Sequence, residues 1–121
     1  GGRFLIFKRT SDREFGPNLF DIPGGRVDFG ETPDVSAVRE VLEETGLIVN
    51  SPKPILIHSE VQKEVRHQIW IIYECKYNND EIKLNLAEHS EYMWANLEEA
   101  RRLPKIGVIE KFLEFLEKQN E

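Results

Sequence analysis

A helix written out between two punctuation marks constrains this chain more than any other feature. Thr32 is placed to cap its start, Pro33 suits the first helical position, Asp34 complements the positive end of the dipole, and Gly46 can close the far end in a left-handed conformation. The pattern predicts a helix over 33–45. At about 100° per residue, Val35, Ala37, Val38, Val41 and Leu42 fall on one broad side, with Ser36, Glu40, Glu43 and Glu44 opposite. Glu40, Glu43 and Glu44 stand at i, i+3 and i+4, where neighbouring like charges cost a few tenths of a kcal/mol each. A hard divalent cation reverses that sign, because magnesium prefers oxygen ligands from carboxylate, water and phosphate. For an isolated acidic triplet of this kind a solvated face is the simpler reading, so the surroundings must decide.

Those surroundings are rich in β-formers. Residues 3–9 (RFLIFKR) read as a strand followed by a turn at Thr10, Ser11 and Asp12. Glu14 to Asn18 reads as loop, and Leu19, Phe20 and Ile22 lead into a tight turn at Pro23-Gly24-Gly25. Leu47 to Val49, Ile55 to Val61 and Arg66 to Tyr77 are further strand candidates, and the apolar run from Gln68 to Tyr73 suits a central strand. A turn is expected at Asn78-Asn79-Asp80. Ile106, Ile109, Phe112, Leu113 and Leu116 recur at helical spacing after Pro104, predicting a second amphipathic helix that contributes to the core.

Length and composition set the remaining limits. A chain of 121 residues leaves room for one domain, 1–121, and with 40% hydrophobic and 31% charged residues it can bury roughly two-thirds of its unfolded surface. A formal charge of -6 argues against nucleic acid and anionic membranes as partners, so any phosphate bound here needs added positive charge. The single cysteine, Cys75, allows no disulfide framework within the chain and reads as a buried free thiol in a reducing compartment. No apolar run is long enough for a membrane span and no signal peptide is visible, so a cytoplasmic protein is expected. His58, His67 and His89 lack metal-ligand spacing and read as ordinary strand or loop residues, and no serine or cysteine carries a nucleophile signature.

The segment around the acidic helix, GRVDFGETPDVSAVREVLEETGL at residues 25–47, fills every fixed position of G-x5-E-x7-R-E-U-x-E-E-x-G-U, where U is a bulky aliphatic residue. It resembles the Nudix box of the Nudix hydrolases. The resemblance implies an α/β/α sandwich with a mixed sheet, a loop-helix-loop catalytic element and hydrolysis of a nucleoside diphosphate linkage. Glu40, Glu43 and Glu44 then correspond to the metal-binding carboxylates, with the carbonyl of Gly24 as a backbone ligand and magnesium, or manganese in its place, as the cation. Arg39 and Glu31 correspond to residues that orient those carboxylates. By position relative to Trp94, Glu88 resembles a late loop acid used as an extra metal ligand or base, with Glu91 as its rival. Glu44, Glu40 and Glu88 compete for the role of general base. Arg9 resembles a phosphate contact, against the reading of a surface ion pair. Phe20 and Asn18 are candidates to line a base pocket, against core packing and a turn.

Among substrates, the short chain suggests a MutT-like enzyme acting on nucleoside triphosphates, oxidised ones included, with ADP-ribose or a nucleoside diphosphate sugar as runner-up. The region Glu60 to Glu64 carries neither the proline often found in ADP-ribose hydrolases nor the tyrosine of dinucleoside polyphosphate hydrolases. A non-catalytic nucleotide sensor is the reading of another class. The family's small members usually carry a strand before the segment matching RFLIFKR, and omission of native residues is the expected reason that none precedes it here. An edge left unpaired would invite a partner chain, making a homodimer a further expectation.

Overall fold

The computed structural model describes residues 2–77 and 81–119; the turn expected at Asn78-Asn79-Asp80 lies outside them. In chain order the elements are β1 (Phe4–Arg9), β2 (Phe20–Asp21), α1 (Pro33–Thr45), β3 (Val49–Gln62), β4 (Arg66–Tyr77), β5 (His89–Ala95), α2 (Leu97–Arg101) and α3 (Gly107–Gln119). β1 lies between β2 and β5 in one antiparallel sheet, and β3 and β4 form a long antiparallel ribbon. All strand pairs among the described residues are antiparallel, and an isolated parallel bridge joins Phe20 to Lys105.

Alternation along β1 separates two cores, because successive side chains of a strand point to opposite faces. Phe4 and Ile6 face α3 with Val108, Ile109, Phe112 and Leu113, the Phe4 and Phe112 rings meeting edge to face at 5.0 Å. Leu5 faces the other way, onto Leu47, Val49 and the Val38 and Val41 side of α1. Helices therefore cover both faces of the strand layer, as an α/β/α sandwich requires. Among the described residues no helix is long and apolar enough to cross a membrane.

The two long helices and the outer strands stand where the sequence places them. Gly46 closes α1 with φ 76°. Thr32 occupies the N-cap position, but its hydroxyl donates to Asp34 and makes no capping bond. The strands expected at 47–49 and 55–61 are one strand, since irregularities between Asn50 and Lys53 and between Pro54 and Leu56 absorb the prolines that cannot donate to a ladder. β4 is not central among the described residues: it pairs with β3 alone, leaving Ile69 64% exposed on one face while Ile72 sits in the core on the other. Cys75 is half-buried rather than buried. α2 was not foreseen, although Asn96 and Glu99 form a reciprocal capping box at its start.

The largest departure concerns α1. Its polar side is not a solvated face, for Ser36 and Glu44 are buried, whereas Val35 and Leu42 of the apolar side are half-exposed. The loop from Gly24 to Glu31 folds over the polar side and turns it into the wall of a site.

Candidate active site

The loop is tied to α1 by a chain of short bonds. The Ser36 hydroxyl donates to the Arg26 carbonyl at 3.1 Å, and the Glu31 N–H donates to the Asp28 carbonyl at 2.9 Å. Arg39 grips Glu31 with two bonds, Nε to Oε2 at 2.8 Å and Nη2 to Oε1 at 2.9 Å, the bidentate geometry that makes guanidinium-carboxylate pairs directional. Its Nη1 reaches Glu40 Oε1 at 2.9 Å and Glu43 Oε2 at 3.1 Å. One cation thus holds three of the acids in fixed places. The Arg39 bonds keep Glu31 well below the usual carboxylate range, at about 2, and the acids in turn raise Arg39 above its ordinary value.

Gly25 completes the cradle for Glu40. A Cβ built on Gly25 would collide with the Glu40 carboxylate, so the loop approaches the helix this closely only because residue 25 has no side chain. Next to it, the Gly24 N–H donates to Glu44 Oε1 at 3.0 Å and fixes the direction of that carboxylate.

Glu44 lies at the inner end of the helix, 7% exposed. Burial pushes its pKa up to about 8, the Gly24 N–H opposing and the nearby charges of Glu40, Asp21 and Glu88 adding to the rise. Glu44, Glu40, Glu88 and Gly24 line a cavity of about 360 Å³ whose wall also carries Arg9, Arg13 and Arg26. With Asp21, paired to Arg9, four carboxylates and three guanidinium groups line it, a mixture that suits a bound cation and an anionic ligand together.

Placement separates the candidates read from the sequence. Arg9 reaches the cavity while donating from Nη1 to Asp21 Oδ2 at 3.0 Å, so the ion pair and the cavity position coexist. Glu88 faces the cavity; Glu91, opposite Lys8 in the β1–β5 ladder, does not line it. Glu43, Glu31 and Arg39 stand behind the wall as the clamp. Phe20 is not available to stack on a base: it is 5% exposed and packed into the α3 core. Asn18 is a turn residue with φ 63° whose N–H donates to the Arg9 carbonyl, and it does not line the cavity.

His89 was missed. It is 2% exposed, and its ring stacks on Phe7 with centroids 3.6 Å apart and planes 11° from parallel. Burial, with the charges of Arg13 and Arg9, lowers its pKa to about 4, so the ring is neutral near pH 7. Neither ring nitrogen has a hydrogen-bond partner among the described residues, an arrangement that costs about 1–3 kcal/mol per orphaned group. Nδ1 lies 4.0 Å from Glu44 Oε2, and Glu44, Glu88 and His89 each present a ligand atom within 4.8 Å of the others. A crowded, buried carboxylate beside an orphaned imidazole fits a divalent cation. The signal in the sequence was adjacency, since His89 directly follows the loop acid Glu88.

Comparison with known proteins agrees with this geometry. The family model described as the NUDIX domain matches residues 1–116. Nucleoside triphosphatase NudI of Escherichia coli K12 is 30% identical over 108 residues, covering 81% of this chain and 76% of its own. A MutT protein from Methanosarcina mazei superposes with a TM-score of 0.79 at 26% identity, covering 99% of this chain and 86% of its own. A MutT NUDIX hydrolase from Burkholderia pseudomallei gives a TM-score of 0.83 at 23% identity, covering 93% and 87%, a likeness of fold. With the full box pattern across loop and helix, two of its acids lining one cavity and a domain match spanning nearly the whole chain, the protein belongs to the Nudix hydrolase family.

Proposed function

We propose that the chain is a magnesium-dependent pyrophosphohydrolase acting on nucleoside triphosphates, oxidised ones included. The observation that supports it most is the cavity itself, where Glu44, Glu40 and Glu88 face Arg9, Arg13 and Arg26. The name of the NudI relative, a nucleoside triphosphatase, favours the triphosphate branch over ADP-ribose and nucleoside diphosphate sugars.

In this reading Glu40, Glu44 and Glu88 hold the cations, with the Gly24 carbonyl beside them. Bound magnesium would screen phosphate charge and make an attacking water more acidic. Arg9, Arg13 and Arg26 bind and orient the phosphates, adding hydrogen bonds that strengthen as charge moves onto the leaving phosphate. A carboxylate of the set Glu44, Glu40 and Glu88 takes the water's proton. Arg39 acts at one remove, since its bonds to Glu31, Glu40 and Glu43 stop the acids from spreading apart when they lose a counter-charge.

The test is release of phosphate or pyrophosphate from a panel of nucleoside triphosphates, oxidised nucleotides, ADP-ribose and nucleotide sugars, with magnesium and with chelator. Magnesium-dependent turnover of triphosphates is the expected result. Turnover of ADP-ribose or sugars instead would move the substrate to the runner-up class. No turnover by folded, magnesium-loaded protein, together with retained nucleotide binding, would make it a sensor and overturn the proposal.

A further inference from the structure

The buried imidazole at the floor of the cavity is unexplained by packing alone. Stacking on Phe7 accounts for the plane of the His89 ring, but a phenyl ring would stack as well and would leave no orphaned nitrogen. Glu44 is its nearest acidic neighbour, yet 4.0 Å is too long for a hydrogen bond. The two groups approach without touching, both line the same cavity, and Glu88 closes the third side. A cation bound by donor atoms at roughly 2.0–2.2 Å each can bridge groups separated in this way.

The donor set carries a chemical preference. Magnesium takes oxygen ligands and retains water, whereas first-row transition ions accept imidazole nitrogen more readily than magnesium does, the gain being smallest for manganese and rising towards cobalt. Carboxylate together with imidazole is thus a mixed site. Two other acids of the box lie outside it: Glu43 is clamped by Arg39 on the solvent side, and Glu40 is held between Arg39 and Gly25.

We propose that His89 is a metal ligand of this chain, supplying one imidazole nitrogen to a cation shared with Glu44 and Glu88, and that this position selects manganese(II) or cobalt(II) over magnesium. The proposal rests on the reading of the cavity as a divalent-metal site and deepens it by assigning a nitrogen ligand and a metal preference. Cations at Glu40 retain an all-oxygen surrounding and remain open to magnesium. The enzyme would then use a mixed metal complement, with the inner position the more selective.

The decisive experiment is pulsed electron paramagnetic resonance on the full chain loaded with one equivalent of manganese(II) and no nucleotide. Modulation from a directly bound nitrogen-14 is expected in the wild type and should change to the nitrogen-15 pattern when histidine alone is labelled. His89→Gln should lose it while still binding manganese, and manganese-over-magnesium preference in competition titrations should fall about tenfold. If the variant fails to fold, a labelled His58→Gln/His67→Gln double variant, whose one remaining histidine is His89, settles the question: it should keep the nitrogen-15 pattern. Bound manganese with no nitrogen coupling, a coupling that survives in the variant, or no manganese binding at all would each overturn the assignment. Failure of the nucleotide-hydrolase reading is separate: manganese-supported turnover without nitrogen coupling rejects the ligand and keeps the enzyme, whereas coupling without turnover of any nucleotide keeps the ligand and rejects the substrate.

Discussion

The two ends of the acidic cluster on α1 and its loop solve the same electrostatic problem in opposite ways. On the outer side, Glu31, Glu40 and Glu43 share the Arg39 guanidinium, and each of those carboxylates accepts a hydrogen bond from it. On the inner side Glu44 has a backbone N–H at 3.0 Å, three acids nearby and a neutral imidazole it does not touch. The outer end is paired as it stands; in the proposed function the inner end is completed by a cation. A clamp that is finished in advance can hold the ligands still, while the unfinished end supplies the binding energy.

Breaking the inner end should have the largest consequence. Glu44→Gln keeps the shape and the acceptor for the Gly24 N–H but removes the charge, and kcat for triphosphates should fall about a thousandfold or more. Calorimetry with a nucleotide should still detect binding. Activity within tenfold of wild type would show that the buried acid is dispensable and would collapse the contrast.

Breaking the outer end should cost less, because Arg39 acts through other residues. Arg39→Ala releases three acids at once, and a loss of about ten- to a hundredfold in kcat/KM is expected, with a weakened apparent affinity for magnesium. Arg39→Lys should not restore it, since a single ammonium cannot reproduce the two bonds to Glu31. Full rescue by lysine would mean that the clamp supplies charge and not geometry. Gly25→Ala is a gentler attack on the same end: the added methyl forces Glu40 to move, and about tenfold in activity should be lost with little change in far-ultraviolet circular dichroism.

The two ends were not equally legible in the sequence. α1 could be read to the residue because Pro33 and Gly46 act through local backbone chemistry, and the outer clamp follows from a fixed spacing along one loop and helix. The inner end depends on chain segments far apart: Glu44 comes from α1, while Glu88 and His89 come from the approach to β5 and its first residue. No periodicity along the chain links them, so the histidine read as an ordinary residue. The same limit explains Phe20, whose place in the core is set by α3 packing and the bridge to Lys105. It explains β4 as well, since an apolar run looks alike whether a strand is flanked on both sides or on one. The burial of Ser36 and Glu44 was hidden for a physical reason: polar residues on one helical side signal water until a loop covers them, and here the loop passes close at Gly25.

The sharpest equilibrium test of the contrast is the smallest in size, because the two ends have opposite pH dependence. Glu44 is raised from 4.5 to about 8, so the metal-free native state keeps a proton that the unfolded chain releases. Its contribution is full below about 4.5 and is lost as pH rises towards 8, with a slope of at most about 1.4 kcal/mol per pH unit. Glu31 is lowered to about 2, so its contribution is full above about 4.5 and is lost only as pH falls towards 2. His89, lowered from 6.5 to about 4, is likewise constant above about 6.5. Between pH 6.5 and 8 Glu44 alone of these three should move the melting temperature. In chelator, wild type should lose stability across that window while Glu44→Gln stays flat, and Glu31→Gln should follow the wild-type slope at a lower level. Added manganese or magnesium should reverse the wild-type trend, since a cation rewards the ionised carboxylate. Parallel wild-type and Glu44→Gln curves in chelator would show that the inner carboxylate is already compensated by the protein, and the distinction between a finished and an unfinished end would fall.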